Sequence, residues 1–340
     1  MLNTKITMRE LQLKNRFVAE PIVSNSGDSN GAPSKKSMEI YSQYAKAGVG
    51  MVVAEQHAVH PWGRNKLNQF RLYGDHEART LKAITNLFKE TKTPVIAQLN
   101  FSGAGASGKE LLQEDDFKLV SPSAIRNPRD LIDADSKALT ISEISDIVES
   151  FADAAKRAIH ISGYDGVQIY ACHGYLAGQF LSPITNKRTD KYGGDILGRS
   201  RLLLEITNAV RNAVPNSNVS VRLGMSDQMP GKAENGLTLG ESCYVAKKLV
   251  HIGVDWLGTS GNHCIYGIGE DDNDTAYFAP YTHAVRNAIN SKIPVDCAGG
   301  IRSLKKADEL LKYGVCDLIG LGRPLNKDKQ YVLNLLKECP

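Results

Sequence analysis

Short apolar, β-branched runs recur along the chain and each ends in small or polar residues: 17–23, 50–55, 94–99, 166–170, 219–223, 254–260, 293–298 and 317–321. Most are continuous instead of alternating, the pattern of strands buried on both faces of a parallel sheet. Between them the periodicity turns helical. It is clearest at Ile144, Ile147, Val148, Phe151, Ala155 and Ala158, whose three- and four-residue steps define one apolar face. Thr140 and Glu143 are spaced as a capping box at the start of that helix. Comparable segments occupy 37–47, 76–90, 199–213, 240–251, 281–290, 303–313 and 326–337.

Strand followed by helix, repeated eight times, predicts an α/β protein built as a single (β/α)8 TIM barrel, with residues 1–340 as one domain. Two longer interruptions, an insertion at 100–139 after the third strand and a loop at 263–278 after the sixth, are rich in Gly, Ser, Asn and charge. The insertion is read as a lid and no more. On this fold the active site lies at the carboxyl ends of the strands, which both segments follow.

Composition narrows the partners. The 340 residues are 42% hydrophobic and 23% charged, ample for a large core, and the net charge of +4 is dispersed along the chain. Neither nucleic acid nor a membrane surface is an expected partner. No run approaches the roughly 20 apolar residues of a bilayer span, and residues 1–10 contain no apolar signal core, so a cytoplasmic location is expected. The six cysteines are scattered without metal-ligand spacing, and no metal site is expected. His57 and His60, three residues apart after the second run, are read as solvated loop residues outside the site.

Candidate chemistry gathers at the ends of the runs. The fourth leads through Tyr170-Ala171-Cys172-His173-Gly174-Tyr175-Leu176 to Gln179-Phe180-Leu181-Ser182-Pro183 and then Asn186-Lys187-Arg188-Thr189-Asp190-Lys191-Tyr192-Gly193-Gly194. An imidazole and a phenol at a strand end can hydrogen-bond a substrate carbonyl or another oxyanion. Arg222 ends the fifth run, where a buried guanidinium rarely serves packing alone. The seventh and eighth runs end in Gly299-Gly300-Ile301-Arg302-Ser303 and Gly320-Leu321-Gly322-Arg323-Pro324. Their glycines allow close backbone approach, helix starts offer N–H groups to an anion, and Arg323 adds a charge-assisted contact to a phosphate.

This long fourth-run motif, with Lys14-Asn15-Arg16, Pro21, Gln98 and Arg222 following in order elsewhere, resembles the old yellow enzyme family of FMN-containing ene-reductases and dehydrogenases. The resemblance implies FMN as cofactor and NADPH or NADH as electron donor. It implies ping-pong hydride transfer through flavin N5 to the activated C=C bond of a small α,β-unsaturated carbonyl compound. Tyr175 matches the family's proton donor, and His173 with Tyr170 anchors the substrate. Arg222 matches the cation at the flavin N1 and O2 edge, Gln98 the partner of the pyrimidine ring, and Pro21, Ile22 and Gln56 the main-chain contacts to the isoalloxazine. Gly299, Gly300, Gly322 and Arg323 are expected at the phosphate. The resemblance also admits a homo-oligomer.

Two departures bear on substrate and potential. Val23 stands where family reductases usually carry Thr or Cys, so an altered flavin potential is expected. Tyr170 stands where many carry histidine, and a Tyr/His pair resembles the amine-dehydrogenase branch; an FMN-dependent dehydrogenase or demethylase of an amine is therefore the alternative. A non-redox barrel binding a phosphate ligand is the second alternative. A Schiff-base lyase lacks a strand-end lysine. No separate dinucleotide fingerprint or cysteine cluster is present, so electrons are expected to pass through the one flavin.

Overall fold

The computed structural model describes residues 1–126, 132–264 and 274–337. Its barrel strands are β1 (Phe17–Ala19), β2 (Met51–Ala58), β3 (Val95–Asn100), β4 (Gly166–Ala171), β5 (Asn218–Gly224), β6 (Trp256–Ser260), β7 (Val295–Ala298) and β8 (Leu318–Leu321). They pair in parallel in chain order, and β8 returns to β1 to close the barrel. Every residue of these strands is buried, which is why the sequence shows continuous runs instead of alternation. Among the described residues no helix is long and apolar enough to cross a membrane.

Helices cover the outside. In Ile141–Arg157 the residues Ile144, Ile147, Phe151, Ala154 and Ala155 are buried, and the box is closed at both ends, Thr140 Oγ1 accepting from Glu143 N and Glu143 Oε2 from Thr140 N. Helix Leu239–Ile252 carries the same device in Thr238 and Glu241 and stops at Gly253, whose φ of 98° is open to glycine. The expected helix at 326–337 is instead two, Arg323–Lys327 and Tyr331–Lys337. Asp328 turns between them, its carboxylate accepting from Gln330 N.

Two further differences set the geometry of the site. The first run is strand only as far as Ala19, because Pro21 has no N–H for the ladder, and residues 20–23 turn out over the barrel mouth. A hairpin absent from the sequence reading, Ile6–Met8 paired with Leu11–Leu13, closes the opposite end. Met8 and Leu13 pack there with Val18, Met51, Val53, Ile96, Trp256 and Leu318. Ligand access is thereby confined to the carboxyl ends of the strands.

The insertion after β3 folds on a small core of its own, Ala106, Leu111, Leu119 and Ile132, with Val120–Ser121 paired to Lys137–Ala138. Of the loop expected at 263–278, residues 265–273 lie outside the described residues.

The reading of His57 as solvated is wrong. β2 runs three residues further than its apolar run, so His57 sits in the strand, fully buried, with Nε2 2.8 Å from the Tyr164 hydroxyl. His60 is half-buried and caps the turn Pro61–Gly63 by accepting from Trp62 N. Burial lowers the His57 imidazole from its usual 6.5 to about 4. The folded-state value lies below the unfolded one, so the stabilisation is complete above pH 6.5. It is lost as pH falls towards about 4, because the unfolded chain takes up a proton that the folded one refuses. The loss attributable to His57 should reach about 3 kcal/mol across that window. Urea unfolding at several pH values between 7.5 and 4.5 should therefore show a shallower fall in stability for His57→Gln than for the parent. Parallel curves for the two proteins would contradict this.

Candidate active site

The cleft at the mouth of the barrel is lined by the turn after β1 (Glu20, Pro21, Ile22, Val23), by Tyr170 near the end of β4 with His173 and Tyr175 beyond it, by Arg222 of β5, by Tyr277, and by 298–302 and 320–324 at the ends of β7 and β8. The turn after β1 is fastened from beneath by the buried Glu55 of β2, which accepts from Ser24 N (2.9 Å), Ser24 Oγ (2.5 Å) and Asn25 N (3.0 Å). Burial raises the Glu55 carboxyl above its ordinary range, and these donors oppose the rise.

After β4 the chain reverses sharply, with His173 at φ 57° and Gly174 at φ 67°. A left-handed non-glycine residue costs roughly 1–2 kcal/mol, so it persists only where its surroundings hold it. The His173 ring is held on both sides, Nδ1 lying 2.5 Å from the Tyr170 hydroxyl and Nε2 2.7 Å from Ser260 Oγ of β6. The Tyr170 and Tyr175 rings lie 5.0 Å apart between centroids. Gln179 anchors the reversal, its Nε2 donating to Gly174 O (2.7 Å) and Ser102 O (3.2 Å). Further along the same motif, Asn186 donates to Phe180 O and Tyr192 O, and Arg188 to Pro122 O and Leu139 O. Much of the motif therefore ties the short helix Leu176–Leu181 and the insertion to the barrel, leaving Tyr170, His173 and Tyr175 as its contribution to the cleft.

Arg222 is buried and ion-paired through Nη1 to Glu20 Oε2. Burial is the largest influence and would lower its guanidinium; Glu20 first, then Cys172, Tyr170 and Asp296, together outweigh it and hold the guanidinium above its usual range. Gln98 Nε2 donates to Gln168 Oε1 (2.8 Å) and Gln56 Oε1 accepts from Asn100 Nδ2 (2.6 Å), and both side chains are fully buried.

Across the cleft, Gly299 (φ 100°) and Gly300 (φ 72°) present bare backbone; a Cβ on either would lie 2.5 or 2.7 Å from the Tyr277 ring. Arg323 Nη2 donates to the Tyr277 hydroxyl at 3.2 Å. Pro324 occupies the first turn of its helix, as its position suggests. Ahead of helix Leu304–Lys312 the backbone N–H of Arg302 donates to Asp274 Oδ1 (2.6 Å), and Ser303 Oγ donates to the other carboxylate oxygen.

Bare strand-end glycines, guanidinium groups from two sides and the buried Gln168 Nε2, which has no acceptor among the described residues, suit a flat polar heterocycle with an anionic tail. Barrel and cleft together define a flavin-type oxidoreductase. The chain belongs to the NADH:flavin oxidoreductase / NADH oxidase family, whose profile matches residues 2–340, and so to the old yellow enzymes. It is 31% identical over 339 residues to an NADPH dehydrogenase of Geobacillus thermodenitrificans, covering 99% of this chain and 94% of that one. Its fold is that of 2-naphthoyl-CoA reductase (TM-score 0.89, 24% identity, 99% of this chain and 52% of that one). It is equally that of the old yellow enzyme homologue from Zymomonas mobilis (TM-score 0.83, 22% identity, 100% and 93%). FMN is the cofactor and NAD(P)H the electron donor.

Residues the sequence reading passed over include Glu20, Ser260, Tyr277 and Asp296. Two had a visible signal, since Glu20 and Asp296 are carboxylates inside runs read as fully buried strands, where a charge requires a partner. The glycine requirement is testable. Gly299→Ala should destabilise the fold by roughly 1–2 kcal/mol for the left-handed backbone alone and lower the FMN retained per polypeptide. A variant with unchanged unfolding midpoint and full flavin content would refute it.

Proposed function

We propose that this chain is an NAD(P)H-dependent ene-reductase that reduces the activated C=C bond of α,β-unsaturated carbonyl compounds. The observation that carries the reading is the convergence of Tyr170, His173 and Tyr175 on the same cleft as Arg222 and the strand-end glycines. Bound FMN supplies two-electron hydride transfer, from NAD(P)H in one half-reaction and to the acceptor in the other. Gly299, Gly300, Gly322 and Arg323 would hold its phosphate, Pro21, Ile22 and Val23 its ring edge, and Arg222 the charge that reduction places at N1 and O2. The acceptor gains hydride at its β carbon and a proton at its α carbon; Tyr175 gives that proton and recovers it from solvent. His173 binds the carbonyl oxygen by exchanging one of its bonds to Tyr170 or Ser260.

Tyr175→Phe should leave anaerobic flavin bleaching by NADPH or NADH within a few-fold of the parent and slow reoxidation by an enone by about 10²–10⁴, the usual worth of a positioned acid. Equal slowing of both half-reactions would remove Tyr175 from the proton-donor role. The Tyr170–His173 hydrogen bond favours a second reading, oxidation of an amine, because the pair presents an aromatic edge where two donors would grip a carbonyl. Flavin bleached by an amine without nicotinamide, together with no enone turnover, would select it.

A further inference from the structure

At the floor of the cleft, β4 to β7 carry Tyr170, Arg222, Gly258 and Asp296 in mutual register. Glu20 enters the same layer from the end of β1, its N–H bonded to Leu321 O of β8. Both neighbouring strands provide space for carboxyl groups. A Cβ on Gly258 would lie 3.0 Å from Asp296 Oδ2, and one on Gly320 would lie 2.8 Å from Glu20 Oε1. The layer thus holds two carboxyl groups and one guanidinium, exposed by 4% (Glu20), 1% (Asp296) and 7% (Arg222).

The charge count decides the protonation state. Arg222 pairs with Glu20 Oε2. If both acids were ionised, Glu20 Oε1 and Asp296 Oδ2 would be buried acceptors with no donor among the described residues. Two unpaired carboxylate oxygens beside one guanidinium carry a heavy desolvation cost. A proton on Asp296, donated to Glu20, removes the second charge and supplies the missing bond. Burial first, and the Glu20 charge next, push the Asp296 carboxyl well above its ordinary range. The other titratable groups facing this cluster are Tyr170, Cys172 and Cys297.

We propose that Glu20 and Asp296 share one proton and together cancel the charge of Arg222, making Glu20 the residue that sets how strongly Arg222 favours the reduced flavin. The inference rests on the reading above that Arg222 faces the N1 and O2 edge. Glu20 and Asp296 act through Arg222 and are positioning residues. With Glu20 ionised and Asp296 protonated, the cluster is neutral, and electrons entering the flavin meet a weaker positive field than an unpaired arginine would give. Burial, the larger cause, keeps the proton on Asp296 when the Glu20 charge is removed, which leaves the cluster at +1; removing the Asp296 proton site leaves its charge unchanged.

The test compares parent, Glu20→Gln and Asp296→Asn as FMN holoenzymes, reduced chemically against reference dyes at neutral pH. Neither nicotinamide nor enone is used, so loss of the ene-reductase reading would leave the result standing. Glu20→Gln should raise the reduced-to-oxidised ratio at fixed dye potential at least tenfold, about 30 mV for a two-electron couple. Asp296→Asn should change it by less than threefold. In the infrared, the parent should show the carbonyl stretch of a buried protonated carboxyl, and Asp296→Asn should lose it. An unchanged potential in Glu20→Gln would overturn the proposal. So would a rise in Asp296→Asn equal to that in Glu20→Gln, which would mean that Asp296 is ionised. Should Glu20→Gln fail to fold, absence of the protonated-carboxyl band from the parent would overturn it by itself.

Discussion

The parallel pairing of Ile319–Leu321 with Phe17–Ala19 closes the sheet, and the cleft inherits its shape from that closure. It brings the turn at 20–23 against the glycines at 320 and 322, although these residues stand some 300 positions apart in sequence. Tyr170, His173 and Arg222 enter from the opposite wall, on β4 and β5. Because the hairpin Ile6–Met8 and Leu11–Leu13 fills the other end, the interior polar layer can be reached only from the cleft. The side chains under the cleft are thus shielded from water on every other side. Their charges act at low dielectric on whatever binds above them.

That shielding has a cost. A typical barrel interior is packed with branched apolar side chains, and here Gln98, Gln168, Arg222, Asp296 and Glu20 occupy it instead. Each needs a partner within the layer: Gln98 has Gln168 and Arg222 has Glu20, while Asp296 Oδ2 and Glu20 Oε1 are left for the proposed shared proton. The glycines at 258 and 320 are the other half of this arrangement, since any side chain there would displace a carboxyl group. Stability is given up in the barrel centre, and what is gained is a preorganised field beneath the cofactor. The apolar hairpin plug and the helix faces outside the barrel offset the cost, with Trp256 bonding Asn218 and Asn218 bonding Met8 O across the seam.

The barrel was legible because β/α alternation and doubly buried strands leave strong, redundant periodicity. Eight apolar runs survive an error of two or three residues at any end, and the helix starts at Thr140 and Pro324 carry local chemistry that fixes them. The hairpin was invisible for the converse reason: three residues per strand offer too few positions for any period to register. The cleft-lining residues after β4, β7 and β8 could be named from a motif. Their partners could not, because hydrogen bonds such as His173 to Ser260, 87 positions apart, depend on barrel register and not on local spacing. Gln98 and Gln56 could be named by resemblance, but their amide partners, Gln168 and Asn100, could not, since each lies on another strand. His57 shows the limit of composition: a histidine beside a loop reads as solvated until the strand is seen to run past it.

The Tyr170–His173–Ser260 chain constrains any ligand that enters the cleft. Both ring nitrogens of His173 are already engaged, at 2.5 and 2.7 Å, so a substrate oxygen must displace one bond to gain another. Such an exchange contributes little net binding, because one hydrogen bond replaces another of similar strength. It discriminates by charge development instead. An oxygen that becomes anionic during reaction forms a charge-assisted bond stronger than the neutral one it displaced, and the difference appears only as the transition state is approached. A substrate that never develops negative charge at that position gains nothing from the exchange and leaves the chain closed. On the proposed reading, the reversal at His173, strained at φ 57° and held by those bonds, would favour acceptors whose reduction passes negative charge to oxygen.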